Sequence, residues 1–331
     1  MAGYLIEVKI VIVLNNFFRV ILKKTPVFLF IFTISFFSIV LGSSFFNQLT
    51  ITNISRQISI DAPIAIGQAI VLISGGIDIS VGAVMAMSAA IVIGTQTLGT
   101  VVSIFLALLF GVLVGCINGL LVTKGRIVPF IATLGTMSAV RGLVLVYTDQ
   151  KAIMGTIPGF EFLGGGSVGF IPTPFIFAFL ILAIFHNVLT KMRIGRNFFA
   201  VGGDLDNAFL AGIPIFRSRF IPYVISSSLA SVSGILLASR LNSANPQIGI
   251  DTALASIAAA IIGGASLLGG RGSVFGAYLG VATLGTLSTG MNLLGITTYF
   301  QIGIKSFVFI CVVVIDALLV RRAISFVKDS G

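Results

Sequence analysis

Apolar residues in this chain dominate long stretches instead of alternating with polar ones. Segments 27–46, 58–73, 79–97, 100–122, 127–147, 171–190, 220–239, 253–268, 274–294 and 300–320 each carry such a run. A helix needs roughly 20 apolar residues to cross the hydrocarbon of a bilayer. A membrane barrel would instead show short alternating segments, and none is present. The pattern predicts an all-α, polytopic transmembrane helix bundle with about ten membrane segments, eight as the lower count. Two segments, 58–73 and 253–268, are short and lie beside paired glycines, and the first holds Asp61 and Pro63. Short or broken helices are therefore expected near 58–78 and 253–273, tolerated where protein or a wet cavity satisfies the backbone.

Composition agrees with the pattern. Of 331 residues, 57% are hydrophobic and 9% charged, and the mean hydropathy is +1.14. Soluble domains carry about 25% charged residues. The 20 basic residues against 10 acidic ones give a net charge of +10, which would suit nucleic acid were it clustered. It is sorted by topology instead. With the N-terminus inside and the segments alternating, Lys9, Arg19, Lys23, Lys24, Lys124, Arg126, Lys191, Arg193, Arg196, Arg217, Arg219, Arg271, Arg321, Arg322 and Lys328 fall inside, and Arg56, Lys151 and Arg240 outside. Fifteen against three is the positive-inside asymmetry. It implies contact with anionic lipid and no nucleic-acid partner.

Residues 1–24 are too charged for a signal-peptide core and read as an interfacial amphipathic segment. Residues 25–331 read as one membrane domain. Its polar stretches are an outer loop near 148–170, carrying GGGS at 164–167, and an inner one at 191–219. Phe209, Leu210 and Ile213 give the inner loop an apolar stripe suited to a cytoplasmic protein, although a plain basic connector is the simpler reading. Two glycine-bearing strings recur, GGIDISVGA (75–83) as GGRGSVFGA (269–277) and TLGTMS (133–138) as TLGTLS (283–288). Their offsets differ, so a single tandem duplication cannot have made both.

Candidate chemistry is sparse. Cys116 and Cys311 have neither pair spacing nor companion ligands, so no disulfide or metal site is expected. His186 reads as an interfacial residue, lacking the acidic partners a proton relay needs. No nucleophile–base arrangement or metalloprotease motif is present, and GGRGS lacks the lysine of a nucleotide-binding P-loop. Asp78 in SGGIDISVG sits at membrane depth, where an ionisable group is a functional candidate. The simpler role is the N-terminal cap of a helix starting near Ser80, and the two are compatible. Arg141 lies within a segment and needs a partner or aqueous cavity, and Lys305 is placed to snorkel outward.

Taken in order, ISGGIDISVGAVMAMSAAI (73–91), NGLLVTKGRIVPFIATLGTMSAVRGL (118–143), SANPQIG, IAAAIIGGASLLGGRGSVFGAYLG (257–280) and GMNLLGI (290–296) resemble the membrane permeases of ribose- and galactose-type ABC importers. The resemblance implies a multi-pass protein of the bacterial cytoplasmic (inner) membrane that is not itself an enzyme. It would bind no cofactor, because a separate cytoplasmic ABC ATPase uses the ATP. An external solute-binding protein would deliver a monosaccharide, ribose being the nearest choice, and a second permease copy or paralogue would complete the path. Alternatives are autoinducer-2 or another small polyol, or an ion-coupled secondary transporter.

The resemblance also implies roles for residues. Gly195, Arg196, Gly202, Gly203, Asp204, Leu205, Phe209, Leu210 and Gly212 fall where the family carries its ATPase-coupling loop. Gly75, Gly76, Asp78, Ser80, Asn118, Arg141, Gly269, Gly270 and Arg271 are the pore or gating candidates. Two departures stand out. Leu205-Asp206-Asn207 replaces a glutamate followed by small residues, and Ala253-Leu254-Ala255 stands where many members carry Glu-Leu-Asp.

Overall fold

A computed structural model describes residues 24–329, with side chains described through residue 314. The interfacial segment expected at the N-terminus falls almost wholly outside those residues. The fold is an all-α bundle. Seven of its helices are long and apolar enough to cross a membrane. These are α1 (Lys24–Ser44), α2 (Gln48–Ile73), α4 (Thr100–Thr123), α5 (Pro129–Tyr147), α7 (Thr173–Lys191), α10 (Ile215–Leu241) and α12 (Val274–Leu293). Three shorter apolar helices join them: α3 (Val81–Gly94), α11 (Thr252–Ile262) and the first part of α13 (Thr298–Asp329). Together they correspond to the ten segments read from the sequence. Between them lie α6 (Phe162–Gly165), α8 (Arg193–Gly203), α9 (Leu205–Leu210) and four two-residue strands. Strand β1 (Ile153–Met154) pairs with β4 (Ser243–Ala244), and β2 (Ser167–Val168) with β3 (Ile171–Pro172).

Helix α2 is the axis of the bundle: 83% of its most apolar window is buried, against 6% for α1. A helix apolar all round belongs at the centre of other helices. It begins ten residues before the expected segment because the Asn47 side chain accepts the Leu49 amide at 3.0 Å and starts the helix there. Arg56, expected in an outer loop, therefore lies within α2. Pro63 is accommodated inside the helix, at the loss of one backbone donor.

Helix α10 packs on α2, α3 and α4. The small residues Gly111, Gly115 and Gly119 form one stripe of α4, and their backbone lies directly against Tyr223, Val224, Ser227 and Ser231 or Phe220 of α10. Small faces of this kind allow close approach where lipid offers no hydrophobic drive between helices.

The two expected breaks are real and share one construction. At the end of α2, Gly75 takes φ +78°, its amide donates to Leu72 O at 2.9 Å, and the Gly76 amide donates to Val71 O at 3.0 Å. At the end of α11, Gly264 takes φ +89°, its amide donates to Ile261 O at 2.8 Å, and the Ala265 amide to Ala260 O at 2.9 Å. Both are Schellman caps, which a residue with a Cβ forms only under strain.

Connections alternate between the two ends of the bundle. At one end, which we term the first face, Gln96 accepts the Thr156 amide, Arg56 donates to Ser167, Asn242 donates to Glu161, and Phe45 packs with Met291 and Ile296. At the opposite, second face, the Gly270 amide bonds Ile73 O, and Arg126, Leu205 and Arg219 line one recess of about 550 Å³.

Candidate functional site

Three features stand out at membrane depth and at the second face. The first is a joint made of backbone. The Gly270 amide donates to Ile73 O at 3.0 Å, so the breaks after α2 and α11 meet. Helix α8 ends on the same spot. A Cβ added to Gly202 would collide with Ile73 O and approach Gly270 N to 2.8 Å. One added to Gly269 would reach Gly75 Cα at 2.9 Å, and one on Gly270 would reach Gly203 Cα at 2.6 Å. Residues that the sequence divided between pore (Gly75, Gly269, Gly270) and coupling loop (Gly202, Gly203) thus form a single crossing. The two similar glycine strings meet here as well. Gly76 abuts the Tyr223 ring, and Arg271 is exposed beside the joint.

Helix α8 is held there by an apolar face the sequence reading overlooked. Phe198 is fully buried among Ile66, Ile70, Ile73 and Leu189. Ile194, Phe198 and Val201 at helical spacing are the signal that would have found it. Gly195 lies against Val188 and Leu189 of α7, and Arg196 donates to Lys191 O at 3.2 Å. Asp204 caps α9, accepting the Asn207 amide at 2.9 Å and its side-chain amide at 2.8 Å. Of the departure at 205–207, Asn207 adds its side-chain amide to this cap. With α9 so held, Phe209 is 71% and Leu210 80% exposed. Leu205 is exposed too, Ile213 is half-buried, and Gly212 turns the chain into α10.

The second feature is the Asp78 node, fully buried just past the α2 break. Asp78 Oδ1 accepts the Ser80 amide at 3.0 Å and the Ser80 hydroxyl at 2.6 Å, and Ser227 Oγ reaches Oδ2 at 3.4 Å. Asn118 Nδ2 donates to Ser80 Oγ at 2.8 Å and reaches Asp78 Oδ1 at 3.5 Å. The capping expectation is met in modified form: the carboxylate takes the amide at the residue preceding α3. No cation pairs with it, and the one ion pair within 4 Å among the described residues is Lys151–Asp149. The node therefore acts as a polar clamp between the second-face loop, α4 and α10.

The third feature is a cavity of about 760 Å³ between α2, α11, α12 and α13. Gln57 Nε2 donates to Asp61 Oδ2 at 2.8 Å, while Gln57 Oε1 accepts from Arg240 Nη1 at 3.3 Å. Lys305 and Asp251 also line it. Lys305 thus lines a cavity wall on the side where α13 packs against α11. No sequence spacing announced the cluster; its charges come from four separate segments. Leu254 and Ala255, two of the positions where the resembled family carries Glu-Leu-Asp, lie on this wall, whereas Ala253 is buried against α3.

Arg141 lies apart from all three. Its guanidinium donates to Pro246 O and Ile248 O, both at 2.8 Å, so its partner is the backbone of the α10–α11 connection. His186 is exposed on α7.

The family model described as branched-chain amino acid transport system / permease component matches residues 50–314, a span holding all of these features. The chain belongs to the ABC importer permeases. Its ordered motifs resemble that family for a reason the relatives make plain. The permease is 41% identical over 300 residues to the ribose import permease of Bacillus subtilis (strain 168), covering 89% of this chain and 93% of that one. It is 36% identical over 279 residues to the D-allose transport system permease of Escherichia coli (strain K12), covering 83% and 85%. It is 34% identical over 281 residues to the L-arabinose transport system permease of the same organism, covering 82% and 84%. No solved structure matches. As a member of this family the permease is a multi-pass membrane transport component rather than an enzyme.

Proposed function

We propose that the permease carries a monosaccharide, ribose or a close relative of it, inward across the bacterial cytoplasmic membrane. A cytoplasmic ABC ATPase powers the step, and an external binding protein delivers the sugar. A second permease copy or paralogue completes the path. The observation that carries this reading is the 41% identity to a ribose import permease across 89% of the chain.

The second face is then cytoplasmic, in keeping with its basic connections and with the positive-inside rule. The residues Gly195, Arg196, Gly202, Gly203, Asp204, Leu205, Phe209, Leu210 and Gly212 form the ATPase-coupling element. Phe209 and Leu210 are the exposed contact, and the glycine crossing passes α8 motion to the ends of α2 and α11. Support for this division comes from rigidity on one side and exposure on the other: α8 is anchored by buried Phe198, while α9 leaves its apolar tip uncovered.

Proteoliposomes holding the permease, its ATPase and its binding protein test the reading directly. Radiolabelled ribose is expected to accumulate only with ATP present. Accumulation driven by an ion gradient without the ATPase would overturn it.

A further inference from the structure

We infer that the cavity between α2, α11, α12 and α13 is a binding site for a neutral, polyhydroxylated ligand of monosaccharide size in transit, an inference that rests on the transport reading above. Its volume, about 760 Å³, falls in the range of small-molecule sites, roughly 300–1,000 Å³. Its position suits a passage. Asp61 is the fourth residue of the apolar part of α2 (58–73), on its first-face side. The lining residues continue from there toward the first face, while buried Ile64 and Ala258 close the other end. The cavity is thus a vestibule reached from the first face and closed below.

The wall chemistry selects the ligand class. Its charged residues are Asp61, Asp251, Arg240 and Lys305, two of each sign, so the formal charge sums to zero. A wall of zero net charge favours neither sign of free ion at long range, and it presents separated donors and acceptors. No two of these charges lie within ion-pair distance of each other. Gln57 stands between Asp61 and Arg240, and the Lys305 ammonium has no hydrogen-bond partner among the described residues. A half-buried ammonium without a protein partner is costly. Sugar hydroxyls, each both donor and acceptor, can satisfy such a group.

Cysteine alkylation of the isolated permease in nanodiscs reads the site without ATP or partner proteins. In a Cys116→Ala, Cys311→Ala background, Ser288→Cys places a thiol on the α12 wall, and Ala255→Cys on the α11 wall serves should the first fail to fold. Ribose is expected to slow maleimide labelling about threefold at twice its Kd, with gluconate leaving the rate unchanged. Labelling unaffected by ribose up to its solubility limit overturns the site, and equal protection by gluconate overturns the neutral class. Uptake in proteoliposomes separates the two readings. Protection without ATP-driven uptake by the wild type upholds the cavity and removes the transport reading, whereas undiminished uptake by fully alkylated permease takes the cavity out of the path.

Discussion

The amide of Gly270 donates a 3.0 Å hydrogen bond to the carbonyl of Ile73, so the break after α11 is fastened to the last residue of α2. Gly202 of α8 lies on this bond with no room for a side chain. Backbone packed on backbone transmits displacement with little loss, since no flexible side chain intervenes to absorb it.

Gly202→Ala places a methyl group against Ile73 O and Gly270 N. The crossing must part, at a cost of about 1–3 kcal/mol typical of overpacking. A lower unfolding temperature is expected, with ATPase activity of the assembled importer less responsive to loaded binding protein. Wild-type values for both would refute the joint.

Phe209→Asp and Leu210→Asp alter side chains that touch little of the permease itself. Thermal stability should stay within about 0.5 kcal/mol of wild type, as for most surface substitutions. ATP-driven uptake should nevertheless fall sharply, measured beside co-purification of the ATPase. Normal coupled uptake by both variants would remove the coupling role.

Asp78→Ala leaves the Ser80 amide, the Ser80 hydroxyl and the Ser227 hydroxyl short of an acceptor in a buried site. Each group so stranded costs about 1–3 kcal/mol. Asp78→Asn keeps one acceptor oxygen and should lose less. Thermal unfolding in detergent ranks wild type, Asn and Ala in that order, and an alanine variant as stable as wild type would show that the node is not a clamp.

Arg141→Lys keeps the charge but cannot reproduce the two 2.8 Å bonds of one planar guanidinium nitrogen to Pro246 O and Ile248 O. Hydrogen exchange at residues 245–250 is expected to quicken, with the rest of the bundle unchanged. Unaltered exchange there would mean that the connection is held by its own turns.

Much of this architecture is written in the chain. Runs of apolar residues marked the ten apolar helices, seven of them long enough to cross a membrane, because a backbone in hydrocarbon has few options but to bond to itself as a helix. Paired glycines marked both breaks, because a Schellman cap needs a residue free to adopt positive φ. The alternation of ends assumed in counting the charges is the one the connections obey, and ordered motifs were enough to name the family. Local chemistry of this kind is legible because its cause and effect lie within a few residues of one another.

Tertiary structure decided what depends on distant partners. Gly75, Gly202 and Gly270 became one joint only when three helix ends converged. Arg141 found its carbonyls more than a hundred residues away. Asp61, Arg240 and Lys305 were scattered as an intrasegment acid, a loop cation and a snorkelling lysine until α2, α10 and α13 brought them around one cavity. The apolar period that orders each helix says which residues avoid water, but in a membrane lipid and protein are equally apolar. Which face meets lipid, which meets a neighbour and which encloses a polar space is therefore set by helix packing alone.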